Sequence, residues 1–274
     1  MSSQTSASHG TGTDQGAAQP GPPESASPGP PEAGNNRASN EPGSGPQKNA
    51  TPGVAIKQLC ALCNTSSTLR CSKCGAQWYC GRACQKEDWP THKILCASRK
   101  AFETPPGPEW RRAIHFNENR QEVEFVWVLV ERKTDSDDGY TVSWESPVLD
   151  PYFGARKSPR RGYVRAHDFP VNVMRRDRLL EGDVSIYHRE AGLVDGYSKP
   201  NQGVVHATKG TAGHPWNGPI VVMKHKRKVS SGDTDPDFVH MDMRDFRDAV
   251  DYFIAYPVHT LAYNKRQNQG QWGF

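Results

Sequence analysis

The chain has 274 residues, 35% of them hydrophobic and 23% charged, with 25 Gly, 22 Pro and a formal net charge of +4. That apolar share is low for a wholly folded chain, so part of it is expected to be disordered. There is no run of eighteen apolar residues and no charged-then-apolar N-terminal segment, so neither a membrane-spanning helix nor a secretory signal is expected.

Residues 1–53 hold no Val, Ile, Leu, Phe, Tyr, Trp or Cys, and nine prolines and nine glycines. Such a segment cannot bury enough apolar surface to offset its ordering entropy and is expected to be a disordered tail. Pro-Gly-Pro-Pro-Glu occurs at Pro20–Glu24 and again at Pro28–Glu32. It is read as drift in an unconstrained tail rather than as a polyproline ligand. Charge separates the parts: 1–53 carry two basic and four acidic residues (−2), 54–100 eight and two (+6), and 101–274 twenty-four of each.

All seven cysteines lie in 60–96, in the run Cys60-x2-Cys63-x7-Cys71-x2-Cys74-x5-Cys80-x3-Cys84-x7-His92-x3-Cys96. Clustered cysteines without a signal point to metal binding in a reducing compartment, nucleus or cytoplasm, rather than to a secreted disulfide scaffold. Eight donors suit two tetrahedral sites, one of four Cys and one of three Cys and one His, and soft thiolates with an imidazole select zinc. The spacing alone allows sequential or interleaved pairing. Eight protein ligands leave no open coordination position, so both zinc ions are expected to be structural. A segment this short needs metal to fold, and each structural zinc can supply roughly 10–16 kcal/mol. Gln77-Trp78-Tyr79 reads as a short strand and Arg82–Glu87 as a short helix carrying Cys84. Asp88 reads as the N-cap of a second helix with Pro90 in its first turn, which places His92 and Cys96 on one face.

This pattern resembles the MYND-type zinc finger at all eight ligand positions, and Cys84-Gln85-Lys86-Glu87-Asp88-Trp89-Pro90-Thr91-His92-Lys93 is similar to the helical end of that family. The resemblance covers residues 60–96. It implies a two-zinc cross-brace, with Cys60, Cys63, Cys80 and Cys84 on one ion and Cys71, Cys74, His92 and Cys96 on the other. It also implies a protein-interaction module that docks Pro-x-Leu-x-Pro-like peptides, with Ser72, Gln85 and Trp89 lining the peptide site. Gln85 and Trp89 stand at i, i+4, so they would point the same way, and a Trp face packs well on proline. The tail lacks leucine and so offers no such motif. The +6 of this segment falls to about +3 once seven thiolates and two zinc ions are counted, and nucleic acid is not the expected partner.

Thr104-Pro105-Pro106-Gly107-Pro108 reads as a Pro-rich hinge spanning 101–108, before an α+β domain over 109–274. Strand candidates are Glu122–Glu131, Tyr140–Trp144 after an Asp138-Gly139 turn, Asp183–His188, Gly203–Ala207 and Pro219–Met223. Gly203–Gly218 reads more broadly as a loop without a helix. Asp242–Tyr256 reads as a helix capped by Asp242 and stopped by Pro257, with Met243, Phe246, Val250, Phe253 and Ile254 on one face. Trp110-Arg111-Arg112-Ala113-Ile114, Phe125-Val126-Trp127, Trp216-Asn217-Gly218-Pro219-Ile220-Val221-Val222 and Asp245-Phe246-Arg247-Asp248-Ala249-Val250-Asp251-Tyr252-Phe253 resemble the C-terminal regions of fungal MYND-finger proteins of unassigned function.

No Gly-x-Ser-x-Gly elbow, phosphate loop or His-Glu-x-x-His is present, and no cysteine follows Cys96. His188-Arg189-Glu190 mimics a deaminase His-x-Glu but lacks the Pro-Cys-x-x-Cys partner. A methyltransferase with a finger inserted in a SET domain would need SET sequence on both sides, which is missing here. The basic clusters Arg156–Arg161 and Lys224–Lys228 read as solvated loops, with nuclear import or phosphate contact as the functional alternative. The expectation is a non-enzymatic zinc-dependent adaptor. The alternatives are an enzyme or ligand-binding domain at 109–274 targeted by the finger, and a nucleic-acid-associated regulator.

Overall fold

The computed structural model of the chain describes residues 58–137, 140–153, 163–227 and 237–268. The expected tail, the Asp138-Gly139 turn and the Arg156–Arg161 cluster lie outside the described residues. A two-stranded hairpin, β1 (Leu69–Arg70) with β2 (Trp78–Tyr79), precedes helix α1 (Arg82–Cys96). Then come β3 (Trp110–Phe116), β4 (Val123–Asp137), β5 (Tyr140–Pro147), the short α2 (Asp150–Phe153), β6 (Val164–Asn172), β7 (Arg178–Arg189), α3 (Gln202–Thr208), β8 (Ile220–His225), β9 (Phe238–Val239) and α4 (Met243–Asn268). The strands β3 to β9 form an antiparallel sheet in the order β5-β4-β3-β8-β7-β6, with β9 pairing β8.

The sheet is buried on both faces at its centre. Ile114, Phe116, Phe125, Val184, Ile186, Ile220 and Val222 face a core shared with Val204 of α3 and Met243, Phe246, Val250 and Phe253 of α4. Ala113, Val128, Val130, Val221, Met223 and Phe238 face the opposite side, against Leu149 and Phe153. The alternation along β3 and β8 follows from the two-residue period of a strand. The finger has no separate core: Ala61, Leu62, Tyr79 and Leu95 belong to the same hydrophobic cluster as Phe116 and Phe246.

Four expectations are corrected. First, 82–96 is one helix, not two. Its buried positions Asp88, Thr91, His92, Leu95 and Cys96 follow a helical repeat from the half-buried Cys84. Asp88 sits mid-helix, and Pro90 merely leaves the Lys86 carbonyl on the exposed side without its usual partner. Second, Gly203–Ala207 lies in α3, so Gly203–Gly218 is not helix-free. The Asn201 side chain accepts from the Val204 amide. The β-branched Val204-Val205 pair suggested a strand, and this local cap overrides it. A Cβ at Gly203 would meet the Asn117 nitrogen and the Glu122 oxygen at 2.8 Å, so the helix can lie this close only with glycine there.

Third, Pro257 does not end the last helix. The helix breaks at Ala255 (φ −102°, ψ 17°) and resumes to Asn268. Pro257 has no amide to give the Phe253 carbonyl, and the amide of Gly213 donates to it instead at 2.9 Å. Fourth, the Lys224–Lys228 run is not a free basic loop over its described residues. Lys224 and His225 belong to β8, and Lys224, Lys226 and Arg227 pair with Asp245, Asp237 and Asp183. Four strands escaped the sequence reading, the two-residue β1 and β9 and the longer β3 and β6. In β3 the buried Arg112 interrupts the apolar pattern, and its guanidinium donates to the carbonyls of Phe102 and Met241. In β6, Pro170 falls where the pairing with β7 shifts between Phe169 and Val171, on the sheet edge.

The finger and sheet domain meet through charge as well as apolar contact. The Asp88 carboxylate accepts from the Tyr79 hydroxyl (2.7 Å) and pairs with Arg247 of α4 (2.6 Å). Arg247 also reaches Asp251 (3.4 Å), which pairs with Arg175 (2.6 Å). Asn172 donates to both Asp251 (3.0 Å) and Asp248 (2.6 Å). Arg178 pairs with Asp248 and donates to the Ala61 carbonyl of the finger (2.8 Å). Three carboxylates thus meet three guanidiniums, and Asp88 and Asp251 are each 1% exposed. The Pro-rich stretch 101–108 is also held. Phe102 lies against Phe125 and Trp127 (6.0 and 5.7 Å), and Arg111 donates to the Pro108 carbonyl.

Removing one partner of a buried pair strands the other charge, so Asp88→Ala should lower the unfolding free energy by about 3–5 kcal/mol. Asp88→Ala combined with Arg247→Met should cost less than Asp88→Ala alone. Urea unfolding followed by circular dichroism checks both.

Candidate metal centre

The eight candidate ligands come from four short pieces. Cys60 and Cys63 lie on a turn closed by Asn64 N–H donating to the Cys60 carbonyl (3.2 Å), with Asn64 in the left-handed region at φ 60°. Cys71 and Cys74 lie on a second turn, closed by the Gly75 amide on the Cys71 carbonyl (2.9 Å) with Gly75 at φ 65°. Cys80 follows β2, and Cys84, His92 and Cys96 stand on α1. One helix face therefore feeds both clusters, with Asp88 between Cys84 and His92.

The structure groups the ligands crosswise. Cys60, Cys63, Cys80 and Cys84 form one set and Cys71, Cys74, His92 and Cys96 the other, the donor atoms of each set lying within 4.8 Å of one another. In the first, Sγ of Cys63 is 3.4 Å from that of Cys80 and 4.0 Å from that of Cys84. In the second, His92 Nε2 lies 3.3 Å from Cys71 Sγ and 3.6 Å from Cys74 Sγ. Nε2 is thus the nitrogen turned toward the sulfurs and the one that would ligate, while the buried Nδ1 has no hydrogen-bond partner.

The chemistry of the donors fits zinc. Burial, then the charge of Cys74, pushes the Cys96 thiol up to about 12, and burial pushes Cys74 up as well. Burial raises Cys84, and its neighbours Cys80 and Cys60 raise it further. Burial lowers His92, which favours the neutral, ligating imidazole. At Cys71 burial acts upward, but the backbone amides of Cys74 and Lys73 outweigh it and the thiol is lowered. The Thr65 hydroxyl, followed by the Thr65 amide, holds Cys63 down at about 6. Thiols crowded this closely resist ionising together unless a dication sits among them, which is the role of a structural zinc. Two sets of four ligands fit two structural zinc ions.

Of the residues expected to bind peptide, Trp89 and Ser72 lie beside the second set and Gln85 follows Cys84 of the first. Trp89 is 45% exposed, with its ring 5.8 Å from that of His92, so it flanks the zinc site rather than filling a core. Gln85 is half-buried one turn earlier, and Ser72 is exposed on the turn between Cys71 and Cys74. His92 therefore brings the Ser72 turn and the Trp89 flank to the same ligand cluster. The residues that sequence reasoning missed are the buried charges Asp88, Arg178 and Arg247. Asp88 carried a signal, an acid two residues before a proline, but that signal reads equally well as a helix cap.

The family model for the MYND finger matches residues 60–96. Human Tudor domain-containing protein 1 is 35% identical over 82 residues, 30% of this chain and 6% of that protein. The mouse protein of that name is 26% identical over 178 residues, 59% of this chain and 14% of that protein. Rat N-lysine methyltransferase SMYD2 is 37% identical over 51 residues, 19% of this chain and 11% of that protein. The chain thus spans no more than about a seventh of the length of these relatives. No solved structure matches it.

Native mass spectrometry should find two zinc ions per chain, and one in Cys71→Ser. Because the ligands bind as thiolates and neutral imidazole, zinc affinity should fall as pH is lowered. Retention of both ions by Cys71→Ser would contradict the ligand set.

Proposed function

Because residues 60–96 are a MYND finger, a zinc-binding protein-interaction module, we propose that this chain is a non-catalytic adaptor that docks proline-containing peptides of Pro-x-Leu-x-Pro type on the Ser72–Gln85–Trp89 face. The observation that carries the reading is the half-exposed Trp89 ring beside His92. An exposed indole held on a metal-braced helix is a preformed surface for a proline ring, and it loses little freedom on binding. Gln85, one helical turn away, supplies an amide for the peptide backbone. The buried pairing of the adjoining Asp88 with Arg247 of α4 fixes the rotation of the helix and so where this flank points. The zinc-thiolate chemistry suits a reducing compartment, nucleus or cytoplasm.

Fluorescence anisotropy with a labelled Pro-x-Leu-x-Pro peptide tests this on the full chain. Trp89→Ala should weaken binding about 30-fold or more, as expected of a central aromatic anchor, and Gln85→Ala should weaken it less. Both variants should keep two zinc ions by native mass spectrometry. Unchanged affinity in zinc-loaded Trp89→Ala would overturn the proposal.

A further inference from the structure

The two zinc sites differ in what surrounds them. Every ligand of the second is buried, with Cys71, Cys74, His92 and Cys96 at 4% exposure or less. In the first only Cys60 is buried, and Cys63, Cys80 and Cys84 are half-buried. The three partly open sulfurs are neighbours, at 3.4 Å (Cys63–Cys80), 3.5 Å (Cys80–Cys84) and 4.0 Å (Cys84–Cys63). The Thr65 hydroxyl lies 3.0 Å from Cys63 Sγ. Cys60 is on the inner side, and the turn it begins carries Ala61, whose carbonyl takes the buried Arg178, and Asn64, whose side-chain oxygen accepts from Arg244 at 3.3 Å.

We propose that Cys63, Cys80 and Cys84 form an oxidation site, where a hydroperoxide joins two of these thiolates as a disulfide and releases the first zinc while the second stays bound. The reason is access: a peroxide must reach the sulfur in line, which a half-buried thiolate allows and a fully buried one does not. With hydrogen peroxide, one thiolate attacks a peroxide oxygen. The O–O bond breaks, hydroxide leaves and the sulfur becomes a sulfenic acid. A neighbouring thiolate attacks that sulfur, the S–O bond breaks and a second hydroxide leaves. Two sulfurs lose two electrons, the peroxide gains them, and two protons taken from solvent give two waters. The zinc, left with Cys60 and one other sulfur, no longer has the four ligands a structural site requires.

The consequence reaches the sheet domain through the Cys60–Asn64 turn. Once that turn is released, Arg178 and Arg244 lose partners in the finger. The second zinc still braces α1 and keeps Asp88 against Arg247. Thiol reductants reverse the disulfide, so the change is a switch rather than damage.

The full-length, two-zinc protein titrated with hydrogen peroxide tests this, by native mass spectrometry and by mapping of alkylated and disulfide-linked peptides. A one-zinc species should accumulate before the zinc-free one. Its disulfide should lie within Cys63, Cys80 and Cys84, with Cys71, Cys74 and Cys96 still alkylatable. The first-site thiols should oxidise at least about tenfold faster, and dithiothreitol with zinc should restore two ions. Simultaneous loss of both ions would overturn the proposal, and so would oxidation appearing first at Cys71, Cys74 or Cys96.

Discussion

A buried ion pair between Asp88 and Arg247 decides how this molecule is built. Taking a carboxylate and a guanidinium out of water costs several kcal/mol each, so such a pair persists only where geometry and further hydrogen bonds offset that cost. Here the offset comes from a closed set. Tyr79 donates to Asp88, Arg247 leans on Asp251, and Arg175, Asn172, Asp248 and Arg178 complete the charge balance. The set also reaches the finger a second time, at the Ala61 carbonyl. Zinc organises the chain locally around the cysteines, and the charge network then ties that local structure to a helix about 160 residues later. Burial and the Asp88 carboxylate both push the Tyr79 phenol upward, so it stays a neutral donor throughout the physiological range.

A division of labour follows along α1. One face carries Cys84, His92 and Cys96 to the zinc sites and Asp88 to α4. The flank bearing Trp89 remains open. A second tie acts just past the helix, where Arg99 grips Asp242 with two hydrogen bonds (2.7 and 3.0 Å). Burial acts to raise the Asp242 carboxyl, but Arg99 outweighs it and the group is lowered, so Asp242 stays charged and accepts the Met243 amide at the start of α4. The middle of the finger helix and the segment just past its C-terminal end are therefore both fixed by the beginning of α4. A finger mounted this way presents its outer surface in one orientation relative to the sheet.

What could be read from the sequence divides along physical lines. The zinc ligands were legible because tetrahedral coordination imposes short, regular spacings that survive in one dimension. Their crosswise pairing was not legible from the spacing, and it needed either the family resemblance or the fold. The β-branched run Val123–Glu131 was legible as strand but its polar extension to Asp137 was not, and Arg112 hid β3 because a buried guanidinium looks exposed in a sequence. Asp88 and Pro90 carry the statistics of a helix start, but the partner that fixes Asp88 is Arg247, and contact at that separation leaves no local trace. Pro257 reads as a helix stop, and the helix runs on past it. Its outcome, a break rather than a stop, depends on Gly213 supplying the amide that Pro257 lacks.

The zinc-bound finger and the sheet domain fold as one unit, with α1 completing the core under α4. Amide hydrogen exchange on the full chain, with two zinc ions and again after chelation, tests it most directly. Chelation should remove protection from 82–96 together with Trp110–Phe116, Ile220–His225 and 243–254. Protection in those strands and in the first half of α4 that persists while 60–96 exchanges freely would contradict it.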